Sequence, residues 1–137
     1  MPVQTKEEAI AALLKVLLPR TDPHLAVLHG SAACGTLRKD SDIDLALTLY
    51  HPMSSDEMLE LASSVSLASG RETDIADLCN AGGLFLHRVL SRGQLVLNRK
   101  LELYNSLALT SLEFIQDILP IVREAQAKRI KEFAAGR

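Results

Sequence analysis

The chain has 137 residues, of which 47% are hydrophobic and 23% charged, with a formal net charge of -2. That length suits one ordinary domain with one main site. The composition is that of a soluble globular protein without the broad basic field of a nonspecific nucleic-acid binder, so direct nucleic-acid binding is not expected and any anionic ligand must be handled locally.

In chain order, the first segment carries Ile10, Leu13, Leu14, Leu17 and Leu18 at helical spacing behind Thr5 and a glutamate-rich turn, and stops before Pro19. Lys15 interrupts the apolar run at 9–18, which lacks a cleavage site and is read as neither an export signal nor a membrane span. "HLAVLHG" (24–30) and "DIDLALTLY" (42–50) read as strands, the first a short apolar run ended by glycine and the second alternating with period two. A short helix is expected to open at Gly30-Ser31 between them. "SSDEMLELASSVSLASG" (54–70) reads as a capped helix ended by Gly70, "ETDIADL" (72–78) as a strand, "AGGLFLHRVLSRG" (81–93) as a helix and "QLVLN" (94–98) as an edge strand. From Leu101 onward a stripe of Leu101, Tyr104, Ala108, Leu112, Ile115, Leu119 and Val122 predicts helix, divided or kinked at Pro120. The charged tail "REAQAKRIKEF" (123–133) reads as a solvated helix face or a partner-docking one. This order predicts an α/β (α+β) domain with helices packed on a small sheet. Cys34 and Cys79 show neither zinc nor disulfide spacing, so a reducing cytoplasm is the expected location.

The chemistry concentrates in "HGSAACGTLRKDSDIDL" (29–45). On an extended strand Asp42 and Asp44 share a face, with alpha carbons roughly 6.5–7 Å apart. Two carboxylates so placed repel unless water or a cation lies between them, and hard ions such as Mg²⁺ take such ligands. Upstream, Gly30 and Ser31 stand where a strand gives way to a helix, so backbone N–H groups and a hydroxyl can converge on a phosphate. Arg38 and Lys39 can reach triphosphate oxygens or serve as ordinary surface charges. Phosphate grip beside metal grip suits phosphoryl or nucleotidyl transfer, for which a further carboxylate is needed from a neighbouring strand. Asp74 and Asp77 differ by three positions and face opposite sides of their strand; Asp77 suits a cap, and Asp74 is chosen.

Gly30-Ser31, ten residues, then Asp42-Ile43-Asp44 resembles the signature of the nucleotidyltransferase superfamily that includes DNA polymerase beta, as does "GTLRKDSDIDL" from Gly35 to Leu45. "TDIADL" resembles the strand that carries that superfamily's third carboxylate. The resemblance, over roughly residues 5–123, is to the minimal nucleotidyltransferase subfamily and its MntA-type antitoxins. It implies a polymerase beta-like palm fold with a small mixed four-stranded sheet, in a single domain 1–137 with its core at about 5–99 and C-terminal helices at about 100–135. It further implies that Asp42, Asp44 and Asp74 bind two Mg²⁺ ions and that Gly30, Ser31, Arg38 and Ser41 contact ATP. The implied partner is a HEPN ribonuclease toxin, silenced by transfer of AMP to a tyrosine hydroxyl. Transfer to a small-molecule hydroxyl, as in aminoglycoside-modifying members, and neutralisation by binding alone are the alternatives. His29 and Cys34 depart from the phenylalanine and arginine of many relatives; His29 is read as a packed or hydrogen-bonded side chain and Cys34 as a small packing residue.

Overall fold

The computed structural model describes residues 1–136. Helix α1 (Lys6–Leu17) starts at Thr5, whose side chain accepts from the Glu8 N–H. Strand β1 (Pro23–His29) follows, then the single-turn helix α2 (Gly30–Ala33) and strand β2 (Ile43–Leu49). Helix α3 (Ser55–Ser69) opens on a reciprocal capping box between Ser54 and Glu57 and closes on Gly70, whose φ of 72° is left-handed. Strand β3 (Thr73–Asp77), helix α4 (Gly83–Arg92) and strand β4 (Gln94–Asn98) complete the sheet layer, and helices α5 (Leu101–Asp117) and α6 (Leu119–Ala134) follow. The chain breaks at Ile118, two residues before Pro120, so the proline sits in the first turn of α6, where its missing N–H costs nothing.

The sheet has four strands in the order β3-β2-β1-β4. β1 is antiparallel to both β2 and β4, while β2 and β3 run parallel. This is the mixed sheet expected. Strand alternation divides the core into two layers. Leu28, Leu45 and Leu47 pack with Leu13, Leu17, Leu61 and Val65 of α1 and α3 on one face. Val27 and Ala46 pack with Leu78, Leu86 and Val89 on the other, which α4 covers. Asp44, two residues before Ala46, therefore belongs to the face that carries α4.

The C-terminal stripe matches the expected one in part. Tyr104, Ala108, Ile115 and Leu119 are part-buried as expected, but Leu101, Leu112 and Val122 are exposed, and the covered face of α5 also takes in Leu107, Ser111 and Phe114. Gly83 of α4 explains why Phe114 is covered: a β-carbon there would lie 2.4 Å from the Phe114 ring, so α5 seats its phenylalanine in the space that glycine leaves. α6 buries none of its side chains and presents Ile121, Ile130 and Phe133 to solvent. Among the described residues no helix is long and apolar enough to cross a membrane.

Candidate active site

The end of β1 decides how the site is assembled. His29 is paired with Asp44 across the antiparallel β1–β2 ladder, and Asp44 is paired in register with Asp74 across the parallel β2–β3 ladder. Directly opposed residues on neighbouring strands project to the same face, so His29, Asp44 and Asp74 form a row across three strands. Asp42 joins from the turn before β2, which begins at Ile43, one residue later than the alternation predicts. The two strands that bear Asp44 and Asp74 are joined through α3, and their parallel register places together carboxylates thirty positions apart in the sequence.

Gly30 follows His29 with a φ of 69°, a conformation that glycine adopts without strain. A β-carbon at Gly30 would fall 2.2 Å from Asp44 Oδ2, so the missing side chain is what lets the carboxylate lie against the turn. The hydroxyl of half-buried Ser31 makes no hydrogen bond among the described residues, while its carbonyl accepts from the Thr36 N–H at 3.0 Å. The turn is thus braced by its backbone and keeps its hydroxyl available.

The electrostatics are those of an uncompensated acidic cluster. Burial raises the Asp44 carboxyl above its ordinary value of 3.8; His29 opposes this, and the charges of Asp74 and Asp42 push the same way as burial. Burial likewise lowers the His29 imidazole below 6.5, against the pull of Asp44 and Asp74. His29 meets Phe85 edge to face, with ring centroids 5.5 Å apart, as a packed histidine does. No lysine or arginine forms an ion pair with Asp42, Asp44 or Asp74 among the described residues. Hard oxygen donors without a protein counter-ion, one of them cradled by Gly30, are of the type that a divalent cation such as Mg²⁺ takes, although the ligand atoms of Asp42, Asp44 and Asp74 do not all lie within 4.8 Å of one another.

Other candidates fall elsewhere. Asp77 caps the 3-10 turn Leu78–Asn80 by accepting from the Cys79 N–H at 3.0 Å. The Arg38 side chain lines a cavity with Pro2, Gln4, Leu37, Lys39 and Arg71, and the structure does not bring it into the cavity that contains Gly30. Ser41 Oγ accepts from the Arg38 N–H at 2.9 Å and so closes the turn before Asp42. Cys34 is exposed rather than packed, because it caps a helix of a single turn at the surface.

Two features escape a reading of the sequence. Arg71 donates from Nη1 to the carbonyls of Arg38 (2.7 Å) and Ser41 (2.8 Å) and from Nε to that of Val3 (2.7 Å). It ties down the turn that delivers Asp42 from a position thirty residues away, a link that only the alignment of β3 beside β2 creates. Asp22, His51 and Glu57 also converge, each with one ligand atom within 4.8 Å of the others. That group lies beyond the other end of β2, where Arg20 pairs with Asp22 and Glu57 belongs to the capping box, so it reads as a charge cluster that secures the start of α3.

Residues 12–102, which include His29, Gly30, Asp42, Asp44 and Asp74, match the family model described as polymerase beta nucleotidyltransferase. The chain belongs to the polymerase beta nucleotidyltransferase family. Among curated proteins it is 30% identical over 91 residues to the protein adenylyltransferase MntA of Shewanella oneidensis, a match that covers 66% of this chain and 64% of that relative. The chain thus spans a little under two thirds of the relative's length. Among solved structures, a toxin-antitoxin with AMP-PNP is similar at 23% identity and a TM-score of 0.73, covering 89% of this chain and 98% of that one. The complex of tri-AMPylated Shewanella oneidensis HEPN toxin with MNT antitoxin is similar at 20% identity and a TM-score of 0.69, over 93% and 99% of the two chains. These likenesses show a shared fold; in this chain the row of carboxylates lies on the face that bears α4.

Proposed function

We propose that this chain is the antitoxin of a HEPN/MNT pair and acts as a protein adenylyltransferase, moving AMP from ATP to a tyrosine hydroxyl of its toxin in the cytoplasm. The observation that carries the reading is the in-register pairing of Asp44 with Asp74 against the side-chain-free Gly30, within a nucleotidyltransferase family match. The named adenylyltransferase relative and the AMPylated toxin held by a structural neighbour support the choice of donor and acceptor.

In this reading Gly30 and Ser31 hold the triphosphate, and Asp42, Asp44 and Asp74 hold two Mg²⁺ ions. When bound, Mg²⁺ neutralises charge on the reacting phosphate and lowers the pKa of the acceptor hydroxyl. Arg38 and Ser41 shape the turn that presents Asp42, and Arg71 restrains it. The acceptor oxygen attacks the α-phosphorus in line and the bond to the β-phosphate oxygen breaks, so pyrophosphate leaves while the hydroxyl proton passes toward the Asp74 side of the site. Asp74 suits that side because it is the more exposed member of the Asp44–Asp74 pair, open to an incoming partner.

The test is incubation of the chain with ATP, Mg²⁺ and its HEPN partner, followed by intact-mass measurement. The partner should gain one or more AMP units with the wild type and none with Asp44→Asn. A partner that binds stably yet never gains mass would replace this reading with neutralisation by binding alone.

A further inference from the structure

A cavity of about 300 Å³ lies beside the turn, lined by His29, Gly30, Cys34, Phe85, Arg88, Val89 and Arg92. That volume is at the small end of ligand pockets, which run roughly 300–1,000 Å³. Phe85, Arg88, Val89 and Arg92 follow helical spacing and so form one face of α4. Gly93 anchors the end of that helix against β1, since a β-carbon there would lie 2.5 Å from Val27 Cγ1 and 3.0 Å from the Leu28 carbonyl. Arg92 is therefore held next to the strand end that leads into Gly30.

Arg88 and Arg92 are exposed and have no hydrogen-bond or ion-pair partner among the described residues. Like charges four residues apart on a helix repel unless an anion lies between them. The C-terminal end of the α4 dipole explains a cation at Arg92. It does not explain why both guanidinium-bearing residues line the cavity that contains Gly30. The sheet order separates the charges by sign: Asp44 and Asp74 lie on the β2–β3 side of β1, and α4 with its two arginines leads into β4 on the other side. A ligand resting on Gly30 would meet metal-binding carboxylates on one flank and two cations on the other.

We propose that Arg88 and Arg92 form the seat for the β- and γ-phosphates of the bound nucleoside triphosphate, and hence for the departing pyrophosphate; this rests on the nucleotidyl-transfer reading above. Two planar forks can each hold a phosphate bidentately, and they supply the positive charge that a triphosphate lying beside three carboxylates requires.

The experiment measures binding rather than turnover, by calorimetry on the full chain with Mg²⁺ and ATP, AMP or inorganic tripolyphosphate. Arg88→Ala/Arg92→Ala should weaken ATP and tripolyphosphate by about 10-fold to 100-fold and leave AMP within about twofold, the loss expected for charge-assisted hydrogen bonds to the tail alone. The double lysine variant should recover part of the affinity, which guards against a folding defect as the cause. Tripolyphosphate should also slow alkylation of Cys34, which lines the cavity, while Cys79 reacts unchanged as the internal control. If the wild type binds ATP and the alanine variant binds it equally well, or loses AMP and ATP to the same extent, the seat is overturned while the transfer reading stands. If the wild type binds no ATP at all, the transfer reading fails and the seat fails with it.

Discussion

Gly30→Ala and Gly35→Ala form a matched pair that tests the catalytic role proposed for the glycine turn. Both positions have left-handed backbones, with φ of 69° and 71°, so each alanine should cost about 1–2 kcal/mol in strain. Their surroundings differ: an added β-carbon at Gly35 meets nothing within 4 Å, whereas at Gly30 it meets Asp44 Oδ2 at 2.2 Å. Real β-carbons essentially never approach within 3.0 Å, so the Asp44 carboxylate must retreat by roughly 1 Å. A carboxylate at the end of a rotatable side chain can make that move without unfolding the protein. Misplacement on this scale costs about 100-fold in rate where geometry governs catalysis. Urea unfolding should therefore show similar losses of stability for the two variants. Pyrophosphate release in the presence of ATP, Mg²⁺ and acceptor should fall about 100-fold for Gly30→Ala and less than about threefold for Gly35→Ala. Equal activity losses in the two would mean that strain alone is responsible, and full activity in Gly30→Ala would remove Asp44 from the reacting centre.

Arg71→Ala should destabilise the fold by roughly 2–3 kcal/mol in urea melts, because three carbonyls lose a charged donor, and should slow transfer by loosening the turn before Asp42. Thr48 is fully buried and its Oγ1 has no hydrogen-bond partner among the described residues, so Thr48→Val should raise stability by about 1 kcal/mol; a lower melting temperature would count against the hydroxyl being unpaired. At Asp22 burial favours the neutral acid, but the hydrogen bonds and charge of Arg20 outweigh it and, with the backbone and His51, hold the carboxyl below 3.8. A depressed native pKa stabilises the fold above the unfolded-state value and loses that effect as pH falls through the native one. The stability gap between wild type and Asp22→Asn should accordingly be widest near neutral pH and narrow below about pH 3.8, as followed by denaturant melts across that range.

Much of the fold is legible in the chain because local rules decide it. Thr5, Ser54 and Gly70 mark helix ends through their own hydrogen bonds and dihedral angles, and β4 occupies 94–98 at the sheet edge as the short apolar run suggests. Asp77 reads as a cap because an aspartate at a strand end can satisfy the next turn's N–H groups without distant help. The stripe on α5 was legible only in part: Tyr104, Ala108 and Ile115 are part-buried as read, but Leu101 and Leu112 are exposed and Phe114 is covered. Several adjacent apolar lines share the helical period, and what favours Phe114 is Gly83 of α4, whose missing side chain admits its ring.

By itself the sequence determined the kind of chemistry: Gly30-Ser31 with Asp42 and Asp44 lies within one continuous stretch, where spacing alone sets which groups are neighbours. Only the tertiary structure decided which groups lie beside that stretch. The parallel register of β2 and β3 sets Asp74 beside Asp44, α4 brings Arg88 and Arg92 to the cavity at Gly30, and Arg71 reaches back to hold the turn before Asp42. Arg38, a near neighbour in sequence, lines a different cavity. The physical reason is that a side chain's partners across a sheet are chosen by strand order and register, which arise from burying both faces of the sheet at once and not from any run of adjacent residues.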